Sequence, residues 1–360
     1  MNSLWNPTTL GHINLPHRLA LAPMTRSRAN ADGTPTGLVP TYYAQRASLG
    51  LLITEGTQPS EDGQGYMLTP GIHSQEQVAA WKKVTTAVHA EGGHIFMQIM
   101  HAGRMGHVDN TPHHRDLLAP SAIGANQPMY TPTGPQTTSA PREMTVDDIK
   151  QTVQDFRQAA RNAIDAGMDG VEIHGANGYL INQFLAPNAN IRTDSYGGSI
   201  QNRARFAIEV ARAVVEEIGA ERTGIRLSPG FAIAGLEDGP EGEDLYRYLI
   251  SELDKLGLVY LHIHHFGNDT FLADIRARWS QKLLVLRYDR PLKDLAWDVE
   301  MGLADIVPVG RWGLANPDFV ERLKVGAELN EPDASTFYSG GAKGYIDYPT
   351  LQQSPAVAVA

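Results

Sequence analysis

Short apolar runs recur along the chain, and each is continuous rather than alternating with polar residues. Such runs are typical of strands that are buried on both faces, as in a parallel sheet. Most of them end at a polar or glycine-rich segment, and the spacing leaves room for a helix between most neighbours. The eight runs lie at 19–24, 51–54, 94–100, 170–174, 224–228, 260–264, 283–286 and 305–310.

The segments between the runs carry start and stop signals for helices. Ser74 with Gln77, and Thr145 with Asp148, have the spacing of a capping box, and the segments that they open each close at a glycine. The segments NRARFAIEVARAVVEEIG and EDLYRYLISELDKLG are also predicted to be helices that close at a glycine. Eight strand–helix units in one chain predict an α/β fold, a (β/α)8 TIM barrel. An open, flavodoxin-like sheet is the alternative, but it usually has fewer strands.

The stretch 103–144 is rich in Pro, Gly and Thr and has no clear period. In a barrel it follows the third strand on the catalytic face, where long loops form lids or walls. We therefore expect a single barrel domain over residues 1–350, with a long loop insertion after strand 3. Residues 351–360 are expected to form a flexible tail.

Composition and charge exclude several classes of protein. The 360 residues are 42% hydrophobic and 19% charged, which is typical of a globular protein with a large core. The formal charge is −10, and no Lys/Arg-rich block could bind a phosphate backbone, so a nucleic-acid-binding protein is not expected. The chain has no cysteine, which excludes disulfides and thiolate chemistry. Neither an export signal nor a membrane span is indicated, so a cytoplasmic location is expected.

Polar residues cluster where the predicted strands end. In a barrel the C-terminal ends of the strands converge on one face, which holds the active site. The residues at these exits are Thr25, Arg26, Thr57, Gln98, His101, His174, Asn177, Tyr179, Arg226, His264, His265, Gly310 and Arg311.

This ring of polar residues does not suit hydrolysis. Its histidines come from different strands without an obvious carboxylate partner, so no metal site is expected. No G-x-S-x-G elbow is present, which disfavours a serine triad. Amide, imidazole, hydroxyl and guanidinium donors dominate instead, and Arg226 can stabilise negative charge. Such a set suits a ligand rich in carbonyl oxygens and ring nitrogens, such as a reduced flavin.

The last predicted strand ends in VPVGRWGLANPDF. Barrels commonly hold a phosphate at this point, through backbone N–H groups, a short helix and a basic side chain. Gly310 and Arg311 are therefore candidates for a phosphate at one end of the ligand.

Several long motifs, in order, resemble those of the Old Yellow Enzyme family of FMN-dependent ene-reductases, and most of all its bacterial N-ethylmaleimide-reductase-like branch. They are LALAPMTRSRA, ITEGTQ, the segment around MHAGR, GVEIHGANGYLINQFLAPNANIRTDSYGGSIQNRARF, GIRLSP, VGRWGLANPDFVERL and TFYSGGAKGYIDYP. The resemblance covers nearly the whole chain. It implies non-covalent FMN, NADPH or NADH as the hydride donor, and a small activated alkene as substrate.

The resemblance also implies a role for individual residues. Thr25 would bond the flavin C4 carbonyl, and Gln98 with Arg226 would hold the pyrimidine side of the ring. His174 and Asn177 would bind the substrate oxygen. The FMN-binding residues implied in this way are Pro23, Met24, Thr25, Gly56, Gln98, Arg226, Gly310 and Arg311.

Tyr179 would donate the proton to the α-carbon after hydride reaches the β-carbon. The spacing supports this arrangement, because a tight turn flanked by Gly175 and Gly178 can aim His174, Asn177 and Tyr179 into one pocket. The same resemblance implies a substrate pocket that includes Tyr66, Met100, His174, Asn177 and Tyr338.

The sequence departs from the family at three places. Met100 stands where many relatives have tryptophan, which predicts a wider substrate pocket. Asn177 replaces the histidine of some relatives, and an amide does not titrate near neutral pH. Leu286, Arg287 and Tyr288 occur where much of the family has glycines near the phosphate, and Arg287 is not assigned a role.

The pairs His113-His114 and His264-His265 are interpreted as loop or strand-end histidines without a ligand. Two other classes of function stay open. A phosphate-binding aldolase or isomerase would need a lysine or carboxylate at a strand exit. A ligand-binding protein without activity would have lost the proton donor or the donor pair. No feature of the sequence indicates an oligomeric state.

Overall fold

A computed structural model describes residues 2–353 and places every one of the predicted strands in one parallel sheet. The strands are β1 Leu19–Leu21, β2 Leu51–Ile53, β3 His94–Ile99, β4 Gly170–His174, β5 Thr223–Leu227, β6 Tyr260–His265, β7 Lys282–Arg287 and β8 Val307–Val309. Each strand from β1 to β6 pairs with the next in the chain.

The sheet closes on itself. β8 returns to pair with β1 through Val307 opposite Leu19, and a parallel bridge between Leu284 and Ile306 joins it to β7. Sequential parallel order with closure is the topology of a barrel, so the open-sheet alternative is wrong.

Helices follow the strands and cover the outside of the barrel. They are α1 Val39–Ala44, α2 Gln75–Ala90, α3 Val146–Asp165, α4 Ile200–Ile218, α5 Gly242–Asp254, α6 Asp269–Arg278, α7 Trp297–Glu300 and α8 Phe319–Val325, with short extra helices at Leu180–Leu185 and Arg311–Ala315. Single 3-10 turns lie at Asn2–Trp5, Ala47–Leu49, Glu61–Gly63, Val108–Asn110, Pro112–His114, Ala220–Arg222, Leu292–Asp294 and Ala334–Thr336. Both predicted capping boxes are present, at the N-termini of α2 and α3.

The long segment 103–144 has more structure than its sequence suggests. It contains an antiparallel hairpin, Pro128–Thr131 with Gly134–Thr137, and a small parallel pair, Leu118–Ala119 with Arg142–Glu143. The second hairpin strand has no buried residue, which explains why no apolar period marks it. Over residues 2–353 no helix is long and apolar enough to cross a membrane. Most of the expected flexible tail, residues 354–360, falls outside the described part of the chain.

The barrel interior changes from apolar to polar along its axis. An N-terminal hairpin, Thr8–Leu10 with Ile13–Leu15, inserts Leu10 and Leu15 at the base, where they cluster with Phe96 and Tyr260. Above them Glu172 accepts hydrogen bonds from Gln98 Nε2 at 2.8 Å and from Tyr260 Oη at 3.0 Å. The apolar base therefore supports a buried polar layer beneath the C-terminal face.

We expect Gly224→Ala to destabilise the barrel. A Cβ at Gly224 would clash with the ring of buried Tyr260, and overpacking of this kind typically costs about 1–3 kcal/mol of unfolding free energy. Urea denaturation measures the effect. Gly37→Ala is the control, because a Cβ there meets nothing within 4 Å. Equal midpoints for the two variants would contradict the tight packing of the barrel base.

Candidate active site

A cavity of about 1290 Å³ opens at the C-terminal face of the barrel. Its walls come from the residues that follow β1, β7 and β8, from the hairpin residues Met129 and Tyr130, and from the segment 334–341 near the C-terminus. Enclosed sites for one small ligand usually measure roughly 300–1,000 Å³. The cavity therefore has room for a cofactor and a substrate together.

Most of the site residues expected from the sequence line this cavity. Pro23, Met24, Thr25, Tyr66, Asn177, Tyr179, Arg226, Gly310, Arg311 and Tyr338 do so. Gly56, Gln98, Met100 and His174 are buried and do not form part of its lining.

Met100 packs beside Gly56 and not on the surface of the cavity. Its side chain is only 3% exposed and packs against the backbone of Gly56, where a Cβ would come within 2.6 Å of the Met100 sulfur. Met100 therefore does not widen the cavity directly. The absence of a side chain at Gly56 makes space for the thioether, and a contact of Met100 with the substrate stays a prediction.

The turn after β4 holds the three expected catalytic residues. Asn177 has a φ of +58°, in the left-handed region that asparagine tolerates better than most residues. Its backbone N–H donates to Ser228 Oγ at 2.9 Å. Gly178 follows with a φ of +88°, so the glycine expected in this turn has a conformational reason to be there.

His174 ends β4 beneath this turn. The backbone N–H of Ala176 donates to His174 Nδ1 at 3.3 Å, which makes Nδ1 an acceptor and places the ring proton on Nε2. Burial, followed by the nearby Arg226 and His262, holds the pKa of His174 well below its usual range. His174 is therefore a neutral imidazole with an Nε2–H donor, and its ring meets that of Tyr179 edge-on with centroids 5.0 Å apart.

Tyr179 presents its hydroxyl to the cavity next to a second tyrosine. Tyr179 Oη donates to Tyr66 Oη at 3.3 Å, and the two rings meet at 6.2 Å in an edge arrangement. Burial raises the pKa of Tyr179, although the hydrogen bond with Tyr66 and the charge of Arg226 oppose the shift. The hydroxyl thus keeps its proton at neutral pH.

Arg226 reaches the cavity from β5 above the buried polar layer. Its Nε is buried and has no hydrogen-bond partner among the described residues. Burial alone would raise the pKa of Glu172, but His262, Arg226 and Gln98 bring it below its usual value, so Glu172 carries the negative charge opposite Arg226. An unpartnered guanidinium N–H in a polar barrel end fits a ligand with carbonyl oxygens or ring nitrogens.

The other charged part of the cavity follows β7 and β8. Arg311 lies 3.3 Å from Asp289. Arg287 lines the cavity while it pairs with Asp269 at 2.6 Å and with buried Asp298 at 2.8 Å, and Arg290 also binds Asp298. Three arginines, Arg287, Arg290 and Arg311, line this part of the cavity together with one carboxylate, Asp289, and guanidinium groups are the usual partners of a phosphate.

The sequence places His264 at a strand exit but assigns it no ligand. It lines the cavity, and its Nδ1 is 2.9 Å from Asn177 Oδ1. Strand alternation could have indicated its position. Successive side chains of β6 point to opposite faces, so Tyr260, His262 and His264 face the inside of the barrel and His265 faces the outside. His113 and His114, in contrast, do not line the cavity.

Arg28, another lining residue, holds the segment that carries Tyr338. Its guanidinium donates to the carbonyl oxygens of Thr336 at 2.8 Å and Ser339 at 2.7 Å. Tyr338 itself is 67% exposed at the cavity rim. Arg28 therefore holds the C-terminal segment next to the residues that follow β1. Its acceptors are backbone carbonyl oxygens, so no sequence motif predicts these hydrogen bonds.

Known proteins resemble this chain in both sequence and structure. The model of the NADH:flavin oxidoreductase / NADH oxidase family matches residues 3–330. A probable flavin mononucleotide-dependent alkene reductase of Leishmania infantum is 40% identical over 96% of each chain. A solved structure of morphinone reductase in complex with tetrahydroNAD is 45% identical, with a TM-score of 0.92 over 97% of this chain and 98% of the other. An Old Yellow Enzyme homologue of Zymomonas mobilis is 36% identical, with a TM-score of 0.93 over 97% and 100% of the two chains.

Proposed function

The chain belongs to the NADH:flavin oxidoreductase / NADH oxidase family, which includes the Old Yellow Enzymes, and on that premise we propose how its cavity reduces activated alkenes. It is a flavin-dependent ene-reductase with a TIM-barrel fold, FMN as cofactor and a reduced nicotinamide as cosubstrate. The sequence-based expectations of fold, enzyme class and cofactors are confirmed. We propose α,β-unsaturated carbonyl compounds, maleimides and nitroalkenes as substrates, with nitro compounds and nitrate esters as further acceptors.

The residues around the cavity fit FMN. The unpartnered Nε of Arg226 suits the pyrimidine side of the flavin, and the cavity-facing Thr25 suits its C4 carbonyl. Gly310 and Arg311 suit the phosphate, because amides in the first turn of a helix have no acceptor within that helix. Pro23 and Met24 also line the cavity, while Gly56 and Gln98 are buried outside its lining.

Bound FMN would supply the hydride transfer, from the reduced nicotinamide to the β-carbon of the alkene. The protein then has to stabilise the charge that develops on the substrate oxygen and to protonate the α-carbon. His174 Nε2–H and the side-chain amide of Asn177 donate to that oxygen, as an oxyanion hole does. Tyr179, whose phenol stays protonated, delivers the proton. Tyr66 and Tyr338 border the substrate.

The observation that carries this proposal is the convergence of Asn177, Tyr179 and Arg226 on one cavity, with the neutral His174 in contact with Tyr179. The same lining disfavours an aldolase or isomerase. Among the described residues that form it there is no lysine, and its one carboxylate, Asp289, pairs with Arg311. A binding protein without activity would not need both a donor pair and a proton donor.

An absorption spectrum of the purified, FMN-reconstituted protein tests the redox cycle. We expect a flavin band that bleaches on anaerobic addition of NADPH or NADH and returns when 2-cyclohexenone is added, with formation of cyclohexanone. The faster bleaching identifies the preferred nicotinamide. A flavin that is reduced but never reoxidised by enones, maleimides or nitroalkenes would contradict the proposed alkene substrates.

A further inference from the structure

The amide of Asn177 is held at two points. Its backbone N–H donates to Ser228 Oγ at 2.9 Å, and its side-chain Oδ1 lies 2.9 Å from His264 Nδ1. His264 stands at the C-terminal end of β6 and lines the cavity with Asn177. Because the side-chain oxygen is engaged by His264, the NH2 is the end of the amide that is available to a ligand.

The two ends of a carboxamide have almost the same shape and opposite hydrogen-bonding roles. If the amide of Asn177 turned over, its oxygen would face the substrate oxygen and repel the charge that develops there. In the observed orientation the amide oxygen of Asn177 faces His264 Nδ1. Because this oxygen can only accept, the proton of the neutral imidazole lies on Nδ1, and Nδ1–H can only donate to the amide oxygen. We propose that His264 is a positioning residue that selects the orientation in which Asn177 is a donor.

This role rests on the proposed function, in which Asn177 is one of two donors to the substrate oxygen. The surroundings of His264 support it. Burial, followed by the charges of Arg226 and neighbouring histidines, lowers the pKa of His264 to about 2, so the ring is neutral. The ring also packs against Phe266 and Phe231, with centroids 4.3 Å and 5.5 Å away. These aromatic contacts hold the imidazole plane against Asn177.

The test uses FMN-loaded protein and p-chlorophenol, whose oxygen mimics the substrate oxygen. Its dissociation constant is read from the change in flavin absorption as the phenol is added. His264→Phe keeps a ring against Phe231 and Phe266 but has no N–H. We expect p-chlorophenol to bind this variant about tenfold more weakly, the effect of losing roughly one hydrogen bond to a charged group. His264→Gln supplies a donor again and should recover most of the affinity.

The neighbouring histidine provides a matched control. His265 lies on the outer side of β6, where its Nε2 pairs with Asp269 Oδ1 at 2.9 Å, so His265→Phe should leave phenol binding unchanged. Once Asn177 is alanine, His264→Phe should have no further effect, because the amide that it orients is gone. The dissociation constant of FMN should be the same in all variants.

The outcomes separate this role from the proposed function. Parent-like phenol binding by His264→Phe overturns the positioning role and leaves the donor pair intact. The same conclusion follows if the loss caused by His264→Phe persists undiminished in the Asn177→Ala background. If Asn177→Ala alone binds the phenol as the parent does, the donor pair fails, and the positioning role fails with it.

Discussion

Tyr179→Phe is expected to slow the reoxidation of the reduced enzyme by 2-cyclohexenone by about 10²–10⁴-fold, the usual contribution of a positioned general acid. The variant keeps the ring that contacts His174 and Tyr66 and loses only the hydroxyl. Reduction by the nicotinamide should not change, because that step needs no proton on carbon. Anaerobic stopped-flow absorbance follows the two half-reactions separately.

Tyr66→Phe is the matched control for this assignment. It removes the hydroxyl that accepts from Tyr179 Oη at 3.3 Å but leaves the proposed donor in place, so its effect should be much smaller. An acceptor that needs no proton on carbon, such as ferricyanide, should reoxidise both variants at the parent rate. Equal rates of parent and Tyr179→Phe with 2-cyclohexenone would rule Tyr179 out as the donor.

The pH dependence follows from the same phenol. Burial raises the pKa of Tyr179 above its ordinary value of about 10, and the donor is the protonated form. The rate of reoxidation by the enone should therefore stay level from neutral pH up to about 10 and fall only above the raised pKa. A fall centred well below pH 10 that disappears in Tyr179→Phe would mean that the phenol ionises more easily than its burial implies.

The barrel could be predicted because its strands are buried on both faces. A run such as GVEIH is continuous in the sequence since its inner and outer residues are both excluded from water. The hairpin at Pro128–Thr131 and Gly134–Thr137 could not be found in this way, because its second strand is largely exposed and carries no apolar pattern. Local periodicity reports burial, and it says little where burial is absent.

The site residues divide along a similar line. Those that follow β1, β4, β5 and β8 could be placed from strand exits and family motifs, since both give direct positions along the chain. Met100 and Arg287 could not. Met100 packs on Gly56, and Arg287 pairs with Asp298. These are tertiary contacts, which the spacing of residues along the sequence does not reveal. His264 was within reach, because strand alternation separates it from His265.

Removing both oxygen-binding donors should also have a large effect on the reduction of the substrate. In His174→Ala, Asn177→Ala the Nε2–H of His174 and the amide of Asn177 are lost together. One donor of an oxyanion hole is usually worth about 10²–10³-fold in rate, so hydride transfer to 2-cyclohexenone should slow by at least that factor. FMN should stay bound, because neither side chain belongs to the proposed cofactor contacts.

Binding of p-chlorophenol separates this loss from general damage to the enzyme. Its oxygen needs the same two donors but undergoes no reaction, so the dissociation constant should rise by about two orders of magnitude, roughly one for each hydrogen bond to a charged group. The control is His12→Ala, Asn14→Ala, which changes the same residue types at exposed positions of the hairpin at the base of the barrel. If the two double variants bind the phenol equally well, other groups must bind the substrate oxygen. His174 and Asn177 would then not be its hydrogen-bond donors.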